Sequence, residues 1–378
     1  MRTLLHALPP ASAGTTRQLR SLHFGRAESG RKTYIQASLH ADEVPAMLVA
    51  QHLREQLLAL EQAGRIAGEI VLVPMANPIG LAQEMQGSLC GRFDMSTGIN
   101  FNRQYRHLTA ALIPVLEPLL GADPVENTRL IRQASLQLLG AAAPASATDG
   151  LKQLLQTLAM DADIVLDLHC DNQAVLHLYA GQPLSEQAKP LAQALQAQAL
   201  LVARVSGDDP FDETVSRIWW ELAEHFGPTR PVPLACFAAT VELRGEVEVD
   251  HRLAAQDAQA LLQFLQHSGH IDPSSDAAAP LMTWPAPLCQ ATPLEGVEPI
   301  TAPHNGILVF LKAPGDVVAA GEVVAEVIDP LTDQRTPLRA SVAGLLFARV
   351  ARRYASAGMR VCKVAGSTAF RSGNLLSL

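Results

Sequence analysis

The segment Asp163-Ile164-Val165-Leu166-Asp167-Leu168-His169 joins a short apolar run to two polar side chains near its end. Its length and its β-branched residues predict a buried strand over Asp163–Leu168. Asp167 and His169 are two residues apart, so their side chains point to the same side of that strand. Because an unpartnered buried Asp or His is costly, the pair favours a functional site at the strand's carboxyl end, with a partnered core histidine as the alternative.

Similar apolar runs alternate with helical patterns through residues 1–272. Further strands are predicted over Tyr34–Leu39, Glu69–Met75, Ala199–Ala203 and Leu234–Leu243. Helices are predicted over Val44–Leu60, Val125–Leu139 and Glu186–Gln198. This alternation predicts an α/β domain with helices on the faces of its sheet, and ligands bind such sheets beyond the carboxyl ends of the strands. We predict a surface loop over Gly140–Gly150.

The pattern changes after the polar, proline-bounded segment 268–280, where we place a boundary between domains 1–272 and 281–378. The second domain contains an internal repeat. Ala302–Val309 matches Ala340–Phe347 at an offset of 38 residues, and Gly321 matches Gly358 at an offset of 37. Two similar β-halves that close on each other predict a small all-β barrel.

Composition excludes several classes of protein. The chain has 378 residues, of which 48% are hydrophobic, and its net charge of −8 argues against nucleic acid or an anionic membrane as the main partner. No apolar run reaches the roughly 18–20 residues that span a bilayer, and we expect no secretory signal. The five cysteines are widely spaced, which favours reduced thiols in a cytoplasmic protein. We expect a small-molecule partner, and the oligomeric state stays open.

His40 and Glu43 form a His-x-x-Glu motif between a predicted strand end and a predicted helix start. Imidazole and carboxylate are suitable ligands for Zn²⁺. The motif alone is weak in a chain with 12 histidines, so an exposed His beside a helix-start Glu is the alternative. Together with His169, the motif predicts a three-ligand site that keeps a fourth position for water, as catalytic zinc sites do.

Two other polar groups stand in unusual places. Glu242 interrupts an apolar strand, where it is either an ion-paired structural carboxylate or a general base. Asn102 and Arg103 follow the Gly91-Arg92 pair, and their fork-like donors suit a substrate carboxylate. A solvated loop is the alternative for these residues.

Taken in their order along the chain, these motifs resemble those of the succinylglutamate desuccinylase/aspartoacylase family of zinc carboxypeptidase-like enzymes. The match runs from Tyr34 to Gly245, and its motifs are His40-x-x-Glu43, Asn77-Pro78, Asn102-Arg103, Asp167-x-His169 and Val241-Glu242-Leu243. The resemblance implies a carboxypeptidase-like mixed sheet flanked by helices. It also implies one Zn²⁺ per chain, held by His40, Glu43 and His169.

The resemblance further implies roles for the remaining residues. Glu242 would deprotonate the attacking water and then protonate the leaving amine. Arg92 would stabilise the oxyanion, and Asn102 and Arg103 would bind the substrate's carboxylate. The implied reaction is the hydrolysis of a small N-acyl amino acid or related amine. The alternatives are a metallocarboxypeptidase that acts on short peptides and a metal-binding protein without catalysis.

Two features depart from the family's pattern. Many relatives have Asp-x-Asn-Arg, in which the Asp accepts a hydrogen bond from a ligand His; this chain has the neutral Asn100 there. Arg92 also lies further from Asn102 than we expect, so Arg106 and Arg244 compete for the oxyanion role. The chain therefore resembles a divergent subgroup, and we do not transfer the substrate of any family member.

The second domain resembles the biotinyl/lipoyl-like fold in its repeat and in the segment Gly315–Gly321. Carrier proteins of this fold have an acceptor Lys on the hairpin between the halves, whereas Asp329–Arg335 has none. We therefore expect either a domain that packs beside the active-site mouth or a purely structural one. An acidic stretch, Asp208 to Glu213, is expected to be a solvated loop, with recognition of a cationic amine as the alternative.

Overall fold

The computed structural model describes residues 1–273 and 284–376. The predicted domain boundary falls mostly between these ranges, because the linker from residue 274 onward lies outside the described residues. The division into domains 1–272 and 281–378 therefore stays a prediction, although the elements on either side of it are clear.

The strands and helices have the following bounds. The strands are β1 Arg2–Ala7, β2 Gln18–Gly25, β3 Lys32–Ala37, β4 Glu69–Val73, β5 Glu84–Met85, β6 Ser88–Leu89, β7 Ile164–Asp171, β8 Gln173–Ala174, β9 His177–Gly181, β10 Ala199–Ala203, β11 Phe237–Gly245, β12 Ala291–Pro293, β13 Val297–Thr301, β14 Gly306–Phe310, β15 Val317–Val318, β16 Val323–Ile328, β17 Arg335–Arg339, β18 Gly344–Arg349, β19 Tyr354–Ala355 and β20 Arg360–Gly366. The helices are α1 Pro45–Gln62, α2 Thr109–Leu116, α3 Pro124–Ala141, α4 Ala147–Ala159, α5 Ser185–Leu195, α6 Phe211–Phe226 and α7 His251–His267.

One large mixed sheet organises the first part of the chain. Among the described residues its strand order is β1-β2-β4-β3-β7-β11-β9-β10-β12. The central strand β7 pairs in parallel with β3 and with β11. Strand β7 is apolar and buried along most of its length, as expected for a strand with neighbours on both sides and helices on both faces.

Helices cover both faces of this sheet. The apolar stripes of α1, α5 and α7 pack on one face around Leu53, Leu191 and Leu261. The stripes of α2, α3, α4 and α6 pack on the other face, around Trp219. The predicted α/β architecture with a flanked mixed sheet is therefore confirmed.

Some predicted boundaries were wrong. The surface loop predicted over Gly140–Gly150 is shorter, covering residues 142–146: α3 continues to Ala141 and α4 begins at Ala147, so both glycines lie in helices. The α4 N-terminus is capped by Ser146, whose side chain accepts a hydrogen bond from the Asp149 N–H, and this local interaction outweighs the alanine- and glycine-rich composition. Strand β7 also continues past Leu168 to Asp171, so His169 lies inside the strand rather than after it.

The predicted repeat in the later part of the chain corresponds to two sets of strands. Strand β14 is equivalent to β18, β15 to β19, and β16 to β20. The halves exchange their short strands, since β15 pairs with β18 and β19 pairs with β14. The resulting sheets are β13-β20-β18-β15 and β17-β16-β14-β19, around the buried side chains of Leu308, Val324 and Leu346.

The two parts of the chain exchange elements as well. Strand β12, from the predicted second domain, extends the large sheet beside β10, and β8 pairs with β18. An ion pair joins the same regions: Lys363 Nζ on β20 lies 2.6 Å from Asp171 Oδ2 at the end of β7. Burial alone would lower the pKa of Lys363, but the Asp171 carboxylate raises it above its usual value.

In the two described ranges, no helix is long and apolar enough to cross a membrane. All five cysteines are free thiols, as the sequence predicts.

Lys363→Met is expected to lower the free energy of unfolding by about 1–3 kcal/mol, because it leaves the Asp171 carboxylate without its partner. Urea unfolding followed by circular dichroism measures the change. The matched control is Lys189→Met, which removes an exposed ion pair with Glu186 and should cost less than about 1 kcal/mol. Equal losses for the two variants would show that the pair between β7 and β20 does not stabilise the fold.

Candidate metal centre and active-site cavity

The register of the central strands positions four polar side chains on one face. In the parallel pair, His169 on β7 lies opposite Glu242 on β11, and Asp167 lies opposite Thr240. Residues in register on neighbouring strands point to the same side, so His169 and Glu242 are neighbours. Both lie near the carboxyl ends of their strands, where ligands bind in sheets of this type.

The loop after β3 carries the other two predicted ligands. Ser38 adopts a left-handed backbone conformation with φ of 57°, and its hydroxyl donates to the carbonyl of Glu43 at 2.8 Å. The amide of Asn77 donates to the carbonyl of Leu39 at 2.8 Å, which gives the Asn-Pro motif a structural role. These bonds close the loop tightly before α1 and turn His40 and Glu43 towards β7.

The three predicted ligands come together. Donor atoms of His40, Glu43 and His169 all lie within 4.8 Å of one another, and all three residues are buried. The Glu43 carboxylate lies between the two rings, with Oε1 2.8 Å from His40 Nδ1 and Oε2 2.7 Å from His169 Nδ1. One carboxylate oxygen and two Nδ1 atoms are a suitable donor set for a divalent metal ion.

A side-chain oxygen lies close to the outer nitrogen of each ring. His40 Nε2 lies 2.8 Å from Asn100 Oδ1, and His169 Nε2 lies 2.9 Å from Asp167 Oδ2. Asp167 is held in turn by Gln36, whose amide donates to its other oxygen at 2.8 Å. Oxygen acceptors at Nε2 favour the tautomer that keeps the Nδ1 lone pair for a metal. The residues therefore fit a metal ion, and Asn100 accepts from a ligand His as the sequence predicts.

The electrostatics of the rings differ. Burial and the nearby Arg92 guanidinium lower the pKa of His40 to about 4, so its ring is neutral and able to ligate at neutral pH. Burial opposes protonation of His169 too, but the carboxylates of Asp167 and Glu43 raise its pKa. Two carboxylates around one imidazole create a local negative potential that a divalent cation would neutralise.

Glu242 lines the same cavity as the two histidines. Its Oε2 atom is buried and has no hydrogen-bond partner among the described residues. Burial and the Glu43 carboxylate raise the pKa of Glu242 to about 8. The ion-paired structural carboxylate that we considered from the sequence is therefore not observed, and Glu242 is available to exchange a proton in the cavity.

Arg92 is the arginine beside the metal ligands. Its Nη1 lies 3.3 Å from both Glu43 Oε1 and His40 Nδ1. The two competitors are engaged elsewhere: Arg106 contacts Asp149 at 3.2 Å, and Arg244 forms a bidentate pair with Asp257 at 2.7 and 2.8 Å. Of the three arginines considered from the sequence, Arg92 is therefore the one that lies beside the predicted metal ligands. The glycine at position 91 lets the chain before Arg92 pass close to the backbone of Asp42, since a Cβ there would lie 2.3 Å from the Asp42 nitrogen.

Asn102 and Arg103 are buried and line the cavity. Asn102 Oδ1 accepts from the Phe211 N–H at 2.9 Å, so this side chain also supports the start of α6. The loop that carries Asn102 and Arg103 is held by Lys152, whose Nζ donates to the carbonyls of Asn100 and Arg103 at 3.0 and 2.7 Å. Burial lowers the pKa of Lys152 to about 8.

The cavity has a volume of about 330 Å³ and lies between the two parts of the chain. The later part contributes several wall residues, among them Val297, Val350 and Lys363. The later part therefore packs beside the cavity that contains the predicted metal ligands, in agreement with the placement expected from the sequence.

The acidic stretch before α6 differs from expectation. Asp208 is exposed, as a solvated loop predicts, but Asp212 and Glu213 are each only 8% exposed and line the cavity. The prediction of a solvated loop was wrong for these two residues. The reason is tertiary, because Gln104 N–H and Tyr105 N–H donate to the carbonyls of Asp208 and Asp209 and pull the loop inward.

Sequence reasoning missed other residues of this site. Lys152 lies on α4, a helix that was not predicted, and Tyr179 lies on β9, a strand that no pattern indicated. Lys363 lies 194 residues beyond His169 in the chain, and nothing in its local sequence distinguishes it from a surface lysine. A buried lysine within the apolar face of an amphipathic helix was the available signal for Lys152.

A mixed α/β sheet with a His/Glu/His cluster at the carboxyl ends of its central strands defines a class: α/β proteins whose clustered side chains could hold a metal ion beside a further carboxylate in the same cavity. A comparison with protein families shows which family of that class matches the chain. Residues 29–268 match the succinylglutamate desuccinylase/aspartoacylase catalytic domain, and the chain belongs to that family. This confirms the resemblance that the motifs predict, and it supports a hydrolase.

Solved structures agree with this assignment. A succinylglutamate desuccinylase/aspartoacylase family protein from Shewanella amazonensis is 26% identical, with a TM-score of 0.82 over 97% of this chain and 98% of the other. One from Shewanella frigidimarina is 23% identical, with a TM-score of 0.83 over 97% of each chain. The product-bound ectoine utilization protein EutE (DoeB) from Ruegeria pomeroyi is 17% identical, with a TM-score of 0.68 over 97% and 94%. No curated protein sequence matches the chain significantly.

His169→Ala is expected to abolish stoichiometric metal binding, because two donors hold an ion far less firmly than three. Elemental analysis after dialysis against zinc measures the bound metal. His225→Ala, which removes an exposed histidine at the end of α6, is the matched control and should retain the full amount. Full occupancy in the His169 variant would contradict ligation by this residue.

Proposed function

We propose that the protein is a zinc-dependent amidohydrolase that removes the acyl group from a small N-acyl amino acid or related N-acyl amine. The products are a carboxylate and a free amine. The observation that carries this proposal is the juxtaposition of the His40, Glu43 and His169 donors with the unpartnered carboxylate of Glu242 in one cavity. Imidazole and carboxylate ligands favour zinc among divalent metals.

Zinc held by these residues would polarise the amide carbonyl and lower the pKa of a water molecule to about 7. Glu242 accepts a proton from the attacking water and later donates it to the leaving nitrogen, a role that its raised pKa supports. Arg92 donates to the oxygen that becomes negative as the carbonyl is attacked. Asn102 Nδ2 and Arg103 bind the substrate's carboxylate and orient the scissile bond.

The shape of the cavity favours a small substrate over a peptide. The walls come from both parts of the chain, and its volume of about 330 Å³ suits a molecule the size of an acylated amino acid. A carboxypeptidase would need an open cleft for the rest of its peptide. The proposal also includes one zinc ion per chain and a cytoplasmic location, which is supported by the five free thiols.

A panel of N-acyl amino acids and dipeptides tests the proposal with purified, zinc-loaded protein. Release of free amine from acyl amino acids is expected to exceed release from dipeptides. Cleavage of the dipeptides alone would replace the deacylase with a carboxypeptidase. Stoichiometric zinc without hydrolysis of any amide would favour a binding protein.

Glu242→Gln is expected to retain zinc but to lower kcat by about 10²–10⁴-fold, because the amide cannot accept the proton. Stopped assays of amine release, together with elemental analysis, measure both quantities. Glu55→Gln, on the exposed face of α1, is the control. A Glu242 variant with the wild-type kcat would refute the role as a base.

Arg103→Ala is expected to raise KM for substrates that carry a carboxylate on the amine portion, by about tenfold or more, because a charge-assisted hydrogen bond is lost. KM should change much less for matched substrates in which that carboxylate is replaced by an uncharged amide. Arg129→Ala removes a surface arginine that pairs with Glu126 and serves as the control. An equal rise in KM for both kinds of substrate would rule out the carboxylate contact.

A further inference from the structure

Helix α4 buries three polar side chains along one stripe. Thr148, Lys152 and Gln156 are four residues apart, so they lie on the same face of the helix, and each is at most 6% exposed. Leu151 and Leu155 on the same side are apolar, as expected for a helix that faces a core. A buried lysine is rare unless it is partnered, because burial removes the hydration of its charge. The stripe therefore needs a reason other than apolar packing.

The outer two side chains of the stripe bind the two ends of one loop, residues 94–106. Thr148 Oγ1 donates to Asp94 Oδ2 at 2.6 Å, at the start of the loop. Gln156 Nε2 donates to the carbonyl of Arg106 at 2.7 Å, at its end. This loop carries the residues that we propose to bind the substrate's carboxylate. The stripe therefore supports the loop from the side of α4, and Lys152 lies at its middle.

Lys152 is bound differently from the other four lysines of the chain. Each of those has a carboxylate oxygen within 2.6 Å of its Nζ, whereas Lys152 forms no ion pair with a carboxylate of the described residues. Its Nζ donates instead to the carbonyls of Asn100 and Arg103, and it lies 5.8 Å from the centre of the Tyr105 ring. The charge of this ammonium is therefore used entirely to bind the loop.

The two carbonyls are the ends of a single turn, residues 100–103, which the Arg103 N–H closes by donating to the carbonyl of Asn100 at 3.2 Å. The Asn100 side chain supports the predicted metal site, since its Oδ1 lies 2.8 Å from His40 Nε2. Arg103, at the other end of the turn, lines the cavity beside Asn102. One ammonium thus fixes the backbone of two residues that serve different parts of the site.

We propose that Lys152 is a positioning residue that couples the predicted metal site to the proposed carboxylate clamp, because it fixes the turn that supplies Asn100 to the first and Arg103 to the second. Without the ammonium, movement of the turn would take Asn100 away from His40 and Arg103 away from the cavity together. Two charge-assisted hydrogen bonds oppose that movement. The role through Arg103 rests on the proposed function, whereas the role through Asn100 depends only on metal binding.

Lys152→Met removes the ammonium and keeps an unbranched side chain. Backbone amide exchange, followed by mass spectrometry, is expected to be faster over residues 94–106 in this variant than in the wild type, because the turn loses two bonds. Gln153→Met is the matched control, since Gln153 on the same helix also donates to two carbonyls, those of Leu139 and Ala142 at the end of α3. Unchanged exchange over residues 94–106, or an equal acceleration by the control, overturns the inference.

Zinc affinity, measured by competition with a chromophoric chelator, reports the coupling without any substrate. Lys152→Met is expected to weaken zinc binding by about three- to tenfold, less than the roughly 10–100-fold cost of removing a group in direct contact with a ligand. Gln153→Met should keep the wild-type affinity. A Lys152 variant that melts at a lower temperature but keeps both the zinc affinity and the KM of the wild type would make Lys152 a structural residue and refute the inference.

Kinetics of the zinc-loaded protein test the clamp. Lys152→Met is expected to raise KM for N-acyl amino acids by about tenfold, and to raise it less for matched substrates whose carboxylate is an uncharged amide. Lys152→Gln, which keeps two N–H donors on a shorter side chain, is the milder variant and should lose less of both functions. If the wild type hydrolyses no amide, the proposed function fails, and amide exchange and zinc affinity still decide the inference.

Discussion

At the centre of the large sheet, β7 pairs in parallel with β3 on one side and with β11 on the other. This pairing brings three distant parts of the chain to one sheet edge: the loop after β3 with two predicted metal ligands, the third ligand on β7, and Glu242 on β11. A register shift of one residue on β11 would turn Glu242 to the opposite face of the sheet. The chemistry of the site therefore depends on backbone hydrogen bonds that contain none of the functional groups.

The polar groups at this edge are arranged in successive layers around the Glu43 carboxylate. Glu43 lies between two imidazoles, and the outer nitrogens of those rings are held by Asn100 and Asp167. Each layer fixes the orientation of the one inside it, so the donors are positioned before any ion or substrate arrives. Asn100 makes one side of this arrangement neutral. The outer negative charge is thereby concentrated on the side of Asp167.

The later part of the chain completes the wall of the cavity. Its repeated halves form two sheets, which are joined to the large sheet by the β8–β18 pairing and by the ion pair of Asp171 with Lys363. Walls from both parts of the chain enclose a cavity of about 330 Å³.

The sequence by itself predicted the α/β class, the repeat in the second part and the three candidate metal ligands, because periodicity and short polar motifs are local signals. It also pointed to a functional role for Glu242, since a carboxylate inside an apolar strand is unusual. Only the tertiary structure placed Arg92, rather than Arg106 or Arg244, beside the candidate ligands, buried Asp212 in a stretch that looked solvated, and brought Lys363 from the far end of the chain into the cavity. The physical reason is that burial and charge compensation depend on which segments pack together, and no local pattern contains that information.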